Sequence, residues 1–451
     1  MDEWTTMKVL LLNPPFDCES IDPFFGECLG LGYVASALRR DGHEVEVFDS
    51  RVRGMGLGET MREVLSREFD FFGVTALDAH KRNLQTIAQT VRKHKKGAVI
   101  LAGGYLATLN AERLLTACPE IDFVVRGEGE AVAPEVIGRI ARAEDWRSTP
   151  GVAYLLDGAP VVNPPAPLIQ DLDSLPFPSR DSHDQTTRVM PAQISGSRGC
   201  YHRCSFCCVN SFYGISGNHP PRYRSAENVL DELESVVTER GIKSFGFLDD
   251  DFLGPSAATH ERAVKIAEGI KSRKLDITFS MECRVDEVDE DMLRLLKDAG
   301  LVHVLLGVES GVQRQLDTYN KRATVEQNRQ AIEMVRRVGL RLTSGFIMLD
   351  PYVTMAETLQ NIEFMREMKL VEEGKIAHID YLMKLTLYHG VPLMEKVQAD
   401  GLLRENGLDV DYVFKDRQFR MMYRLMTAFR GLSKCVQRAQ CVLTRRRRSD
   451  G

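Results

Sequence analysis

Three cysteines stand at Cys200, Cys204 and Cys207 in the stretch Cys200-Tyr201-His202-Arg203-Cys204-Ser205-Phe206-Cys207, and a fourth, Cys208, follows directly. Spaced four and three apart on one short loop, three thiolates reach one face of an iron–sulfur cube and leave one iron open to a ligand that is not protein. A structural zinc also uses close cysteines, but it needs four ligands and normally a second pair farther along. Here Cys18, Cys28, Cys118, Cys283, Cys435 and Cys441 are scattered singly. The loop reads as a cofactor loop. An electron carrier would close the open iron with a fourth cysteine, so the spacing argues against that class.

The 451 residues suffice for two or three domains, each with a core. A net charge of −6 gives no basic face for nucleic acid. The run Arg445–Arg448 reads as a solvated tail. No apolar stretch approaches the roughly 20 residues a membrane span needs, and the first residues show no export pattern. Ten cysteines in a chain of this size do not suggest a disulfide framework, and an oxygen-sensitive cluster requires a reducing compartment, so the expected location is cytoplasmic.

From Met7 the chain alternates short apolar runs with helical periodicity: strands at Met7–Leu12, Glu44–Asp49, Phe71–Thr75, Ala98–Ala102 and Phe123–Val125, and helices at Leu29–Arg40, Glu59–Arg67, Asn83–Lys95 and Ala111–Thr116. This predicts right-handed βαβ units and a doubly wound parallel sheet over residues 1–150, which binds ligands at the carboxyl ends of its strands. Gly103-Gly104 and Gly127-Glu128-Gly129-Glu130 fall at those ends. A proline-rich linker is expected over 151–192, carrying Pro164-Pro165-Ala166-Pro167 and Leu175-Pro176-Phe177-Pro178.

Alternation resumes over 193–395, with helices Ala226–Glu239, Ala257–Ser272, Glu290–Ala299, Val325–Val338 and Met355–Met368 between strands at Ser244–Leu248, Ile277–Met281, His303–Gly307 and Leu342–Met348. The order is that of a barrel of βα units, whose chemistry sits at the carboxyl ends of the strands. Those ends carry Asp249-Asp250-Asp251, Glu282-Cys283-Arg284 and Gly307-Val308-Glu309-Ser310-Gly311. Three adjacent carboxylates call for a cation nearby, Arg284 suits a carboxylate fork, and a carboxylate in so apolar a strand as Glu309 is costly without a partner. Over 396–451, Tyr412–Thr444 reads as one or two amphipathic helices.

Ser197-Arg198-Gly199-Cys200 through Phe206-Cys207 resembles the signature loop of the radical S-adenosylmethionine (SAM) superfamily, in which an aromatic residue, here Phe206, precedes the last cysteine. The resemblance implies a [4Fe-4S] cluster on Cys200, Cys204 and Cys207, with Cys208 as the other register for the third ligand. It implies SAM bound at Phe206, Asp249, Asp250, Glu282, Arg284 and Glu309, in a partial (β/α)6 TIM-type barrel. Arg126-Gly127-Glu128-Gly129-Glu130 and the paired glycines resemble the cobalamin-binding Rossmann domain of one subgroup, which implies that Gly103 and Gly104 border the ligand. The subgroup's usual histidine two places beyond those glycines is Leu106 here, and Asp78-Ala79-His80 only approaches its Asp-x-His-x-x-Gly loop, so cobalamin stays open. Tyr388–Pro392 stands in the place of the family's Pro-Gly-Thr-Pro element and departs from it.

The resemblance further implies a 5′-deoxyadenosyl radical that takes hydrogen from a small molecule. The build resembles radical SAM diol dehydratases of aminoglycoside antibiotic biosynthesis, which implies dehydration of a vicinal diol in a paromamine-like aminosugar. A flavodoxin- or ferredoxin-type electron donor and a separate NAD(P)H-dependent reductase would be its partners. Asp250, Glu309 and His389 are the candidates for acid–base work. The rival expectation is a cobalamin-dependent radical SAM methyltransferase.

Overall fold

The computed structural model describes residues 6–17, 26–217, 219–371 and 383–427. The first apolar run forms β1 (Lys8–Asn13). It is followed by α1 (Leu29–Arg40), β2 (Glu44–Asp49), α2 (Leu57–Leu65), β3 (Phe71–Thr75), α3 (Lys81–His94), β4 (Val99–Gly103), α4 (Tyr105–Leu109), α5 (Ala111–Ala117), β5 (Phe123–Val125) and α6 (Gly129–Ala141). These five strands are parallel in the order β2-β1-β3-β4-β5. Strand alternation sends Leu10, Leu12, Phe72 and Val74 to one apolar layer and Val9, Leu11 and Phe71 to the other. Connections leave in opposite directions from β1 and β3, which opens a crevice at their carboxyl ends.

The sheet runs past residue 150. β6 (Val152–Leu156) and β7 (Ala159–Val162) make a hairpin whose turn, Asp157-Gly158, has positive φ at both residues, as a two-residue type I′ turn requires. Because β6 pairs antiparallel with β5, the linker expected from residue 151 starts only after Val162. It holds the short helix α7 (Asp181–Asp184).

The second domain comprises β8 (Ala192–Ile194), β9 (Ser197–Arg198), α8 (Cys208–Gly214), β10 (Arg222–Tyr223), α9 (Ala226–Arg240), β11 (Ser244–Phe247), α10 (Ala257–Ser272), β12 (Thr278–Arg284), α11 (Glu290–Asp298), β13 (Leu301–Glu309), α12 (Gln313–Thr318), α13 (Val325–Val338), β14 (Arg341–Phe346) and α14 (Met355–Glu367). Ser256, Asp289, Thr324 and Thr354 cap four of these helices through their side chains. Among the described residues the barrel is five parallel strands in the order β14-β13-β12-β11-β8. The expected sixth strand is represented there by one parallel bridge, Leu349 to Lys384.

Beyond the barrel come α15 (Pro392–Ala399) and a hairpin of β15 (Leu403–Asn406) and β16 (Asp409–Tyr412). Of the helices expected over Tyr412–Thr444, residues 417–427 are helical, Tyr412 closes a strand, and 428–451, with Arg445–Arg448, lie outside the described residues. The hairpin returns to the first domain through Arg113–Glu405 at 2.7 Å and Lys81–Asp409 at 3.5 Å. No helix of the described residues is long and apolar enough to cross a membrane.

The two sheets are joined by buried ion pairs. Arg198, two residues before Cys200, donates to Glu128 and Glu130, each at 2.7 Å, and Arg222 donates to Glu128 at 2.8 Å. A second group ties Arg180 to Glu27 and, at 2.5 Å, to Glu232, which also holds Arg224. Removing one partner from a buried pair strands the other charge, which typically costs about 3–5 kcal/mol. Glu128→Gln is therefore expected to lower unfolding free energy by about that amount in anaerobic urea titrations. A loss within about 0.5 kcal/mol, the usual range for surface changes, would contradict this reading of the interface.

Candidate functional site

The cysteine loop is caged by hydrogen bonds that leave its thiols inward. Ser205 N donates to the Tyr319 carbonyl at 2.7 Å, Ser205 Oγ to the Thr318 carbonyl at 2.8 Å, and Asn320 Nδ2 to the Arg203 carbonyl at 2.7 Å. Leu393 N donates to the Ser205 carbonyl at 2.8 Å, and Ser211 Oγ to the Gly390 carbonyl at 2.8 Å. Burial pushes the Cys200 thiol up to about 12 and raises Cys204 and Cys207 as well. Thiols in that state ligate only when a metal's charge displaces their protons, and three of them on one loop fit a cluster with an open iron. Cys204 and Cys207 line one cavity. Cys208 opens α8 and packs against the apolar cluster of Met348, Leu349 and Val391. Phe206 packs on that same cluster, edge-on to Tyr319 at 5.5 Å.

The three adjacent aspartates diverge. Asp249, expected at SAM, is 1% exposed and engaged by Gly196 N at 2.9 Å and Ser197 Oγ at 2.5 Å, so it anchors the β8–β9 turn. Asp250 accepts from Gly199 N at 3.1 Å and faces a cavity between the domains; burial, with Asp249 and Asp251 adding, pushes it up to about 6. Asp251 turns to His202 and Glu287.

On β12, Phe279, Met281 and Cys283 enter the core while Glu282 takes the alternate, half-buried positions facing inward. Burial, then Asp250 and Glu309, pushes Glu282 up to about 7. Glu309 sits in the left-handed region, φ 62°, and accepts from the buried Lys321 at 3.0 Å. The pair lies over Gly307, where a Cβ would stand 2.7 Å from Lys321 Nζ. Arg284, expected to fork a SAM carboxylate, is occupied: it pairs with Asp286 at 2.9 Å, donates to the Lys321 carbonyl at 2.5 Å, and points Nη1 at Cys204 Sγ, 3.6 Å away. An N–H aimed at a ligating sulfur stabilises the thiolate and tunes a cluster's potential. With only Glu309 neutralised, Asp250 and Glu282 leave the interior short of positive charge, which suits the ammonium and sulfonium of SAM.

The cavity between the domains, about 330 Å³, lies at the carboxyl ends of the first sheet and is lined by Gly73, Thr75, Gly103, Gly104, Gly127 and Gly129 opposite Arg198, Leu248 and Asp250. Side chains at Gly103 and Gly127 would enter it, and Gly104, at φ 94°, would bring a Cβ to 3.0 Å from the Ala76 carbonyl. This glycine cradle fits a bulky, flat ligand. His80 is fully buried, and its Nδ1 accepts from Leu77 N at 3.3 Å. It stacks on Phe16 and does not line the cavity. His389, the third acid–base candidate, lines a second cavity of about 500 Å³ with Arg126, Arg203, Cys204 and Cys207.

Sequence reasoning missed Lys321, which no motif marks, and the wall of Tyr105 against Phe212, ring centroids 4.5 Å apart, on the interdomain cavity. It also gave no role to Arg198, although the residue sits in the quoted loop.

Residues 194–365 match the family model of the radical SAM superfamily, and residues 23–137 that of the B12 binding domain. An uncharacterized methyltransferase of Pyrococcus horikoshii is 30% identical over 405 residues, 88% of this chain and 84% of the relative. The anaerobic magnesium-protoporphyrin IX monomethyl ester cyclase of Rubrivivax gelatinosus is 28% identical over 73% of this chain and 60% of its own. The cobalamin-dependent SAM radical enzyme OxsB superposes with a TM-score of 0.77 at 21% identity, over 91% of this chain and 65% of that one. The radical SAM methyltransferase TsrM of Kitasatospora setae gives 0.70 at 20%, over 88% and 78%. The chain thus spans less than two thirds of the cyclase and of OxsB, and at these identities the two structures show the fold.

Two outcomes are expected. Cys207→Ala should abolish the roughly stoichiometric cluster absorbance while Cys208→Ala retains it; the reverse would put Cys208 in the cluster. A cation placed beside Glu282 lowers its pKa, so SAM binding at pH 7 should release a fraction of a proton. Calorimetry in buffers of different ionisation enthalpy would show it, and Glu282→Gln should remove it.

Proposed function

Because the chain belongs to the radical SAM superfamily and carries a B12-binding domain ahead of its barrel, we propose that it is a cobalamin-dependent radical SAM methyltransferase acting on a small molecule. The observation that carries this is the glycine-lined cavity, which opens from the strand ends of the first domain directly onto Asp250 and the start of the cysteine loop. Asp250 thus links the glycine cradle to the strand ends of the barrel, while Cys204 and Cys207 line the second cavity. The methyltransferase relative, similar over most of both chains, supports the reading.

When bound, the cluster with SAM supplies hydrogen-atom abstraction from an unactivated C–H bond, and cobalamin supplies methyl transfer. In this reading Cys200, Cys204 and Cys207 hold the cluster and Arg284 steadies the Cys204 sulfur. Glu282 and Asp250 orient the cationic end of SAM, and Lys321 pairs with Glu309 beside them. Tyr105, Phe212 and Leu248 exclude water from the space between. A flavodoxin- or ferredoxin-type donor and a reducing, cytoplasmic setting belong to the same reading.

A second reading is favoured by the two carboxyls pushed to about 6 and about 7, Asp250 and Glu282. Groups that change charge near neutrality suit the redox-neutral loss of water from a vicinal diol, as in a paromamine-like aminosugar. A separate NAD(P)H-dependent reductase would then reduce the deoxy ketone.

One anaerobic experiment decides. The reconstituted protein is gel-filtered after hydroxocobalamin, then given dithionite, SAM and paromamine. A retained corrin spectrum, with S-adenosylhomocysteine formed beside 5′-deoxyadenosine, is the expected result. Deoxyadenosine and an oxo-deoxy sugar without bound corrin would replace methylation with dehydration. Failure to cleave SAM at all would overturn both.

A further inference from the structure

Three ligating groups that line neither cavity converge from three parts of the barrel. His202 comes from the loop itself, Asp251 from the end of β11 and Glu287 from the turn after β12; one ligand atom from each lies within 4.8 Å of the others. His202 Nε2 is 2.7 Å from Glu287 Oε1 and 4.0 Å from Asp251 Oδ2. The carboxylate side chains are 5% and 4% exposed. Asp251 Oδ2 and Glu287 Oε2 are fully buried and have no hydrogen-bond partner.

That arrangement is short of one cation. The nearby positive side chains are already matched: Arg284 to Asp286, and Lys321 to Glu309. Asp251 and Glu287 thus bring two buried carboxyl groups against one imidazole, with neither of those cations left for them. Buried charges persist only when paired or bound to metal. Two ligand atoms bound at about 2.0–2.2 Å to one metal stand roughly 3–3.5 Å apart, so the 2.7 Å His202–Glu287 contact would open and the 4.0 Å His202–Asp251 contact would close, each by less than about 1 Å.

We propose that His202, Asp251 and Glu287 bind a divalent ion of the first transition row, distinct from the iron–sulfur cluster, that clamps the cysteine loop to the ends of β11 and β12. One imidazole and two carboxylates suit Mn2+, Fe2+ or Zn2+ and leave positions for water. The ion fixes His202 between two cluster ligands, Cys200 and Cys204, and so holds their spacing.

Mn2+ is the probe, since it favours oxygen and nitrogen over thiolate. The cluster-loaded wild-type protein is titrated anaerobically with Mn2+ and followed by electron paramagnetic resonance, beside Asp251→Asn and Glu287→Gln at equal cluster content. The expected result is one saturable Mn2+ per chain, weakened by at least about 10-fold in each variant. Bound Mn2+ should also speed relaxation of the reduced cluster's signal. Absence of saturable binding, or equal binding in the variants, would overturn the site. So would an Asp251→Asn protein more heat-stable than wild type with or without Mn2+, because the amide would then be replacing a shared proton. Loss of the Mn2+ signal leaves the cluster absorbance as a separate readout, so failure here is distinguishable from failure of the radical SAM assignment.

Discussion

The bond between Arg198 and the Glu128–Glu130 pair is what the arrangement of the molecule rests on. It joins the carboxyl end of β5 to the residue that precedes the cysteine loop. With Arg222 on Glu128, two guanidinium groups meet two carboxylates in a largely buried cluster. A buried pair of this kind is weak as a source of stability yet severe about geometry, because any partner left alone is costly. It therefore fixes where the first domain sits over the barrel, and hence the space between the glycine cradle and Asp250.

Inside the barrel the governing quantity is a surplus of carboxylates. Asp250, Glu282 and Glu309 crowd the strand ends, and only Glu309 has a cation of its own. Burial raises the other two, with Asp249 and Asp251 adding at Asp250, and Asp250 and Glu309 adding at Glu282. A cationic ligand relieves that cost, which makes the site selective for positive charge before any shape is considered.

Much of this was legible in the sequence because it is local. The cluster spacing is read within eight residues, and Leu29–Arg40, Ala257–Ser272 and Val325–Val338 announce themselves by periodicity and fall where periodicity put them. What is long-range was hidden. Arg198 meets Glu130 across 68 residues, and nothing in either neighbourhood names the other. Asp249, Asp250 and Asp251 look equivalent as a string, yet extended backbone at a strand end sends neighbours to different sides. One becomes an anchor, one faces the cavity and one joins His202. The hairpin at Asp157-Gly158 carried its turn signature openly, but the prolines that follow made the whole stretch read as a connector. Arg284 was assigned from residue type alone, and only the folded arrangement shows its guanidinium already taken.

The C-terminal hairpin touches the first domain at Arg113 and Lys81, through residues separate from the Arg198 contacts. Both contacts are ion pairs with partly exposed partners, so they are screened by salt in a way the buried Arg198 network is not. Raised ionic strength would therefore loosen the hairpin's hold on the first domain before it disturbs the joint beside the cysteine loop.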